Sequence, residues 1–305
     1  ISRSSIEQIA TFIAQIRKEK FLPTLHSISL KSREEIQRLK DTDFELKSVI
    51  DKLLRLGFDE KTGLGWVGMI EWLLQNKESL MQVTNIVNQL TSGKVPARNV
   101  IFCGEDIALS SVDVVKNTFK RQPGYPEIYT LSSTDPDAVK KLIERIKKTD
   151  PQLRETYVVL VSKKGATTIE TMSNLKVLEG EMLRRNVTLE DRVIAITDAG
   201  TKFYNEDFWK SRGYTKSPNV YNIQLNGKTD VNDRFFAPAT LLFLLVSGLR
   251  GVDITKLLER ANRVSEARKV EDNPYVQLGA ILYQLAQEGK DQVTLILPEE
   301  IKDIA

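Results

Sequence analysis

The sequence predicts an α/β fold: a five-stranded parallel sheet covered by helices on both faces, preceded by a helical amino-terminal region. Three observations predict it. Five short runs of β-branched and other apolar residues recur between Arg98 and Gln224. Between them apolar residues return at spacings of three and four, the period of a helix. Strands and helices alternating in this way build a parallel sheet with both faces buried, and before Arg98 only the helical period is found. The pattern divides the chain into a helical region (1–95), an α/β domain (96–225), a helical connection (226–290) and the start of another sheet (291–305).

Each element has its own signal. Ile6, Ile9, Phe12, Ile13 and Ile16 mark one amphipathic helix, and Leu46, Val49, Ile50, Leu53 and Leu54 a second behind a capping Asp43. Leu64-Gly65-Trp66 turns into a helix through Met69, Ile70, Trp72 and Leu73. Leu80, Val83, Ile86, Val87 and Leu90 mark another, closed by Gly93 and Pro96. The first strand is Val100-Ile101-Phe102-Cys103, with a helix from the Gly104–Ser111 stretch to about Phe119. The second is Glu127–Leu131, followed by Asp135 and a helix with Pro136 in its first position. Val158-Val159-Leu160-Val161 is the third, Arg192–Thr197 the fourth and Asn219–Gln224 the fifth. Phe235–Leu249 is almost continuously apolar but shorter than a membrane span, and reads as a buried helix. Helices at Ile254–Ala267 and Tyr275–Glu288 follow, then the strand-like run Gln292–Leu297.

Composition narrows the function. The chain has 305 residues, with 44 Lys and Arg against 41 Asp and Glu, giving a formal net charge of +3 spread over interspersed acids and bases. That is no nucleic-acid signature, and no stretch has the length of a membrane anchor, so neither partner is expected. Lys140-Lys141 and Lys147-Lys148 share a helix with Glu144 and read as solvated faces. One cysteine, Cys103, rules out an internal disulfide framework and fits a reducing cytoplasm. One histidine, His26, leaves little material for a metal site or a Ser-His-Asp triad. No cofactor and no metal are expected. The chain opens on Ile1 and stops just past an apolar run, and reads as a piece of something longer.

The chemistry is concentrated in Tyr157–Thr171, YVVLVSKKGATTIET. A buried strand breaks into a small polar loop, and apolar residues at Ile169, Met172, Leu175 and Leu178 then start a helix. Such a turn directs backbone N–H groups and hydroxyls at one spot beyond the sheet, where a helix N-terminus holds an anion. Lys163 and Lys164 add positive charge without fixed geometry. The bland reading is an ordinary strand-to-helix connection with capping threonines.

Taken together, these segments resemble the glucose-6-phosphate isomerases, most closely the short bacterial form fused behind transaldolase. Leu64-Gly65-Trp66 precedes a helical stretch, and Cys103-Gly104-Glu105-Asp106 stands where the family has a Gly-Gly-Ser-rich turn. Ser162–Thr171 stands where it has a Ser-Lys-Ser/Thr loop ending in Thr-x-Glu-Thr, and Asp230–Phe235 where it has Asp-x-Gly-Gly/Ser-Arg-Phe/Tyr. Gly251-Val252-Asp253-Ile254, Asn273-Pro274 and Gly289–Leu295 are similar to the fused form. The resemblance implies two sugar-isomerase (SIS) sandwich domains, the second cut short in this chain, a homodimer, and a hexose phosphate or other phosphorylated sugar as partner. A transaldolase fused in a longer parent chain is compatible with it. In the family a glutamate base moves a proton between C1 and C2, assisted by a histidine and a lysine, all in the later half. His26 does not match that histidine.

The resemblance assigns substrate binding to Gly104, Glu105, Ser162, Lys163, Lys164, Gly165, Thr167 and Thr168, and enediolate stabilisation to Arg234. Lys164 and Thr168 keep the family's residue types. The departures are Cys103 for a glycine, Glu105 for a serine, Lys163 for a serine (unless a shift restores Ser162), Gly165 for a serine or threonine, and Asp233 beside Arg234. A carboxylate in place of a hydroxyl faces a dianion at a cost of about 1 kcal/mol in water and several in a drier cleft. Three functions stay open: part of a working isomerase with a reworked phosphate site, a degenerate homologue serving as scaffold or dimerisation module, and a phosphosugar sensor without turnover. This segment is expected to be inactive alone.

Overall fold

A computed structural model of the chain describes residues 68–165, 167–225 and 238–265, with 289 and 292 as isolated positions. Those up to Asn262 fall within one compact unit. The helices expected at 6–16, 46–54 and 275–288, the Leu64-Gly65-Trp66 turn, Arg234 with its motif, and the run at 293–297 lie outside the described residues.

The elements follow in the expected order. Helices α1 (Gly68–Gln75) and α2 (Lys77–Ser92) lead into β1 (Asn99–Cys103), α3 (Asp106–Thr118), β2 (Glu127–Leu131) and α4 (Pro136–Lys147). Then come β3 (Thr156–Val161), α5 (Ile169–Leu183), β4 (Val193–Thr197), α6 (Glu206–Lys210), β5 (Asn219–Asn222), α7 (Leu241–Leu249) and α8 (Ile254–Ser265). Asp135 caps α4 by accepting from the Asp137 N–H at 2.9 Å, with Pro136 behind it as the sequence predicts.

The sheet order is β2-β1-β3-β4-β5, and every pairing is parallel. Alternation along each strand splits the core in two. Val100 and Phe102 of β1, Val159 and Val161 of β3, and Ile194 and Ile196 of β4 face one layer with α2, α3 and α7. Ile101, Cys103, Val158, Leu160, Val193 and Ala195 face the other, with α4 and α5. The result is a three-layer α/β sandwich. No described helix is long and apolar enough to cross a membrane.

Helix α7 explains the apolar run that precedes α8. Leu241, Leu242, Leu244, Leu245, Val246 and Leu249 are all buried, because α7 packs against α2 and α3. Each such side chain contributes about 1.5–3 kcal/mol on burial. Gly248 lets α2 come close: a Cβ there would stand 2.6 Å from a Val87 methyl. The helix is shorter than the run suggests. Thr240 caps it, accepting from the Phe243 N–H at 3.3 Å, so 238–240 are not helical. At its other end Arg250, itself buried, donates to the Phe119 and Lys116 carbonyls and closes the C-terminus of α3.

Other differences are equally local. β5 stops at Asn222 rather than Gln224: the Ile223 N–H still reaches the Thr197 carbonyl at 3.0 Å, but the Asn222 side chain accepts from the Gln224 N–H at 3.0 Å and takes it out of the ladder. Lys147 is no free surface charge: it pairs with Glu181 of α5 at 3.1 Å. The five-residue helix α6 is too short to show a period. It exists because Trp209, fully buried, packs on Phe203, Phe208 and Tyr214 and donates its indole N–H to the Phe203 carbonyl at 2.7 Å.

Candidate functional site

The chain leaves β1 in one direction to β2 and returns to place β3 on the other side of β1. At that switch point α3, following β1, covers one face, and α5, following β3, covers the other. The two connections diverge and leave a crevice beyond the carboxyl ends of β1 and β3, where open α/β sheets take ligands. Gly104 and Glu105 stand on one side of it, and Ser162, Lys163, Lys164, Gly165, Thr167 and Thr168 on the other.

On the first side, the Gly104 N–H extends the ladder to the Leu131 carbonyl at 3.2 Å. A Cβ on Gly104 would lie 2.7 Å from the Val161 carbonyl oxygen, so only glycine lets β1 and β3 end side by side. Glu105 is the N-cap residue of α3, in extended backbone, yet its side chain does not cap the helix. It reaches across the crevice instead and accepts from the Thr168 hydroxyl at 2.6 Å. Asp106, next to it, accepts from the Ser132 hydroxyl at 3.1 Å. Two carboxylates therefore occupy the start of α3, where the helix dipole favours negative charge.

On the second side, Ser162 is buried and its N–H continues the ladder to the Ile196 carbonyl at 3.0 Å. Its own carbonyl accepts from the Gly165 N–H at 3.1 Å, closing a turn with Lys163 and Lys164 at the centre. Gly165 is buried and left-handed, with φ 53°. The turn is anchored to the end of β4: the Lys163 carbonyl accepts from the Asp198 N–H at 3.1 Å and the Thr197 hydroxyl at 3.3 Å. Thr197 and Thr201 share a further hydroxyl hydrogen bond at 2.9 Å. Lys164 and Thr167 are exposed, Lys163 and Thr168 half-buried. Thr168 is in the N-cap position of α5 but makes no cap bond, its hydroxyl proton being given to Glu105.

At the end of β1, Cys103 is fully buried in the layer with α4 and α5, and its thiol contacts the Thr171 carbonyl of α5 at 3.8 Å. Burial pushes that thiol up to about 12. The Tyr204 phenol is raised as well, by burial and then by the Asp198 carboxylate.

Gly104, Glu105, Ser162, Lys163, Lys164, Gly165, Thr167 and Thr168 thus border one crevice, while Arg234 lies outside the described residues. The residues that sequence reasoning missed are Thr197, Asp198 and Thr201, which hold the turn in shape. Their only signal was a strand ending in Thr-Asp-Ala-Gly-Thr. Lys163, Lys164 and the N-terminus of α5 thus lie on one side, and the carboxylates of Glu105 and Asp106 on the other.

No protein-family model matches the chain. Among curated proteins it is similar to a probable glucose-6-phosphate isomerase of Methanococcus maripaludis, 25% identical over 199 residues that make up 64% of this chain and 41% of the relative. A glucose-6-phosphate isomerase of Cyanothece is 26% identical over 174 residues, 56% of this chain and 30% of the relative. A probable one of Haloquadratum walsbyi is 30% identical over 166 residues, 54% and 35% respectively. The chain spans less than half the length of the curated relatives it matches. Two solved structures share its fold. A hypothetical protein of Thermus thermophilus aligns with TM-score 0.61 at 20% identity, over 82% of this chain and 54% of that one. A glucose-6-phosphate isomerase of Chlamydia trachomatis aligns with TM-score 0.57 at 17% identity, over 88% and 51%. The chain thus shares its three-layer fold with that isomerase structure and is similar in sequence to glucose-6-phosphate isomerases over about half to two-thirds of its length.

Proposed function

We propose that residues 96–225 form the sugar-phosphate-binding first domain of a glucose-6-phosphate isomerase-like protein, acting in aldose–ketose isomerisation as part of a longer catalytic unit. The observation that carries this reading is the sequence likeness to those isomerases, over 64% of the chain in the Methanococcus relative. The β1/β3 crevice adds to it, because a phosphate there would meet the N-terminus of α5 and the Lys163-Lys164 turn. In this reading Lys164, Thr167 and Thr168 contact the phosphate, with Lys163 beside them. Ser162 and Gly165 hold the turn, Gly104 opens the approach, and Arg234 stabilises the enediolate. The segment alone does not turn substrate over. A homodimer, a cytoplasmic setting, a second domain beginning near residue 291 and a transaldolase-fused parent belong to the same reading.

A second reading is favoured by one observation, the Glu105–Thr168 bond, which spends a phosphate-binding hydroxyl on a carboxylate. In that reading the domain is a degenerate homologue that serves as a scaffold, dimerisation module or phosphosugar sensor.

Two measurements separate them: coupled-assay turnover of fructose 6-phosphate by the longest natural form of the protein, and calorimetric titration of the 305-residue chain with 6-phosphogluconate. The first reading expects turnover by the long form, none by this chain, and binding heat that Lys164→Ala removes. Binding without turnover by the long form selects the sensor. No heat and no turnover would leave only the scaffold.

A further inference from the structure

Glu105 and Thr168 belong to different connections, 63 positions apart, and meet across the crevice at 2.6 Å from hydroxyl to carboxylate oxygen. A threonine hydroxyl has one proton. Given to Glu105, it leaves only lone pairs for an incoming ligand. The Thr168 side chain makes no cap bond to α5, so it leaves the first-turn N–H groups of that helix, which have no partner within the helix, uncapped. The carboxylate that reaches this end is Glu105, which does not cap its own helix α3. A helix N-terminus attracts an anion, and the chain supplies one of its own.

We propose that Glu105 is an intramolecular plug of this crevice: its carboxylate occupies the place of a ligand's anionic group and sets the site against phosphodianions. This inference rests on the sugar-phosphate reading of the loop. The contact is specific to charge and reach. Serine or glycine at this position would neither bridge to Thr168 nor carry charge. Glu105 is exposed and Thr168 half-buried, so the bond opens without disturbing the buried strand ends beneath it. A phosphate enters only by exchange, taking over the Thr168 hydroxyl while the displaced carboxylate, still tethered at α3, repels it. The same tether keeps the plug at high local concentration, so a free ligand competes at a disadvantage.

The test titrates the 305-residue chain with inorganic phosphate and with 6-phosphogluconate by calorimetry, alongside Glu105→Gln, Glu105→Ser and Thr168→Val. Thermal melts establish that each variant is folded, and two independent replacements of Glu105 guard against the failure of one. Glu105→Gln and Glu105→Ser are expected to bind 6-phosphogluconate at least about tenfold more tightly than the unaltered chain, the equivalent of about 1.4 kcal/mol. Thr168→Val, which breaks the bond and keeps the charge but also removes a hydroxyl of the proposed phosphate site, is expected to bind no more tightly than the unaltered chain and to lose affinity. Equal and measurable affinity in the unaltered chain and both Glu105 variants overturns the plug and leaves the phosphate reading standing. An equal gain in Thr168→Val shows that the charge of Glu105 is not what excludes the ligand, and also overturns it. Absence of binding in every form, Glu105 variants included, overturns both the plug and the phosphate reading.

Discussion

Gly165 and Thr201 are packed so closely that a Cβ on Gly165 would stand 2.5 Å from the Thr201 Cβ and 2.6 Å from its hydroxyl oxygen. This contact joins the turn after β3 to the loop after β4, and it fixes where Lys163 and Lys164 are presented. Gly165 also has φ 53°, a left-handed backbone that costs any L side chain about 1–2 kcal/mol. Gly165→Ala is therefore expected to destabilise the chain by about 2–3 kcal/mol from strain and clash together. In urea unfolding, Thr201→Gly in the same chain should recover the clash but not the backbone strain. Full recovery, or no loss in Gly165→Ala, would refute the packing argument.

Two other glycines predict opposite signs. Gly104→Ala drives a methyl against the Val161 carbonyl, a backbone atom that cannot rotate away, and should cost about 2–3 kcal/mol. Gly180 lies inside α5 with nothing within 4 Å of its would-be Cβ. Gly180→Ala should stabilise the chain by about 0.5–1 kcal/mol through helix propensity. Denaturant midpoints of the two variants should fall on opposite sides of the unaltered protein.

Glu181 predicts a pH dependence. Burial alone would raise its carboxyl, but hydrogen bonds from Lys147 and Arg184 outweigh that, and the net shift is downward. Lys147 on α4 and Arg185, one turn on from Glu181, pair with it at 3.1 and 2.9 Å, and Arg184 also contacts it. A carboxyl held below its unfolded value, about 4.3, stabilises the fold above that pH and loses the contribution as pH falls through the lower folded value. The stability gap between the unaltered chain and Glu181→Gln should be full at about pH 6 and shrink toward about pH 3. A gap constant across that range would contradict the assignment.

Cys103 should be inert in the folded protein. With the thiol raised to about 12 and no exposure, it presents almost no thiolate at about pH 8. A thiol-specific chromogenic reagent at that pH should react with it at the rate of unfolding, and immediately in denaturant. Rapid modification of the native chain would contradict the burial of Cys103 between the sheet and α5.

Much of the fold was legible because it rests on local patterns. Val158–Val161 announces a strand buried on both faces, and Asp135-Pro136 announces a helix start, with no knowledge of what lies nearby. Where element ends differ from the pattern, single side-chain bonds decide them. Asn222 turning onto the Gln224 N–H ends β5 early, and Thr240 capping at Phe243 starts α7 late. Helix α6 carries no periodic signal because it has only five residues, and its reason for existing is the aromatic packing of Trp209.

Local pattern was enough for the alternation of strands and helices, for the Ser162–Thr168 turn as the polar break after the most apolar strand, and for Glu105 as an acid next to Gly104. Strand order was beyond it, because a parallel crossover can return on either side of the strand it left. Only folding made β1 and β3 neighbours, and so brought Glu105 and Thr168 to 2.6 Å. The character of the crevice depends on that distance, since a carboxylate perturbs a site only within the reach of its field and its hydrogen bond, and no spacing along the chain encodes it.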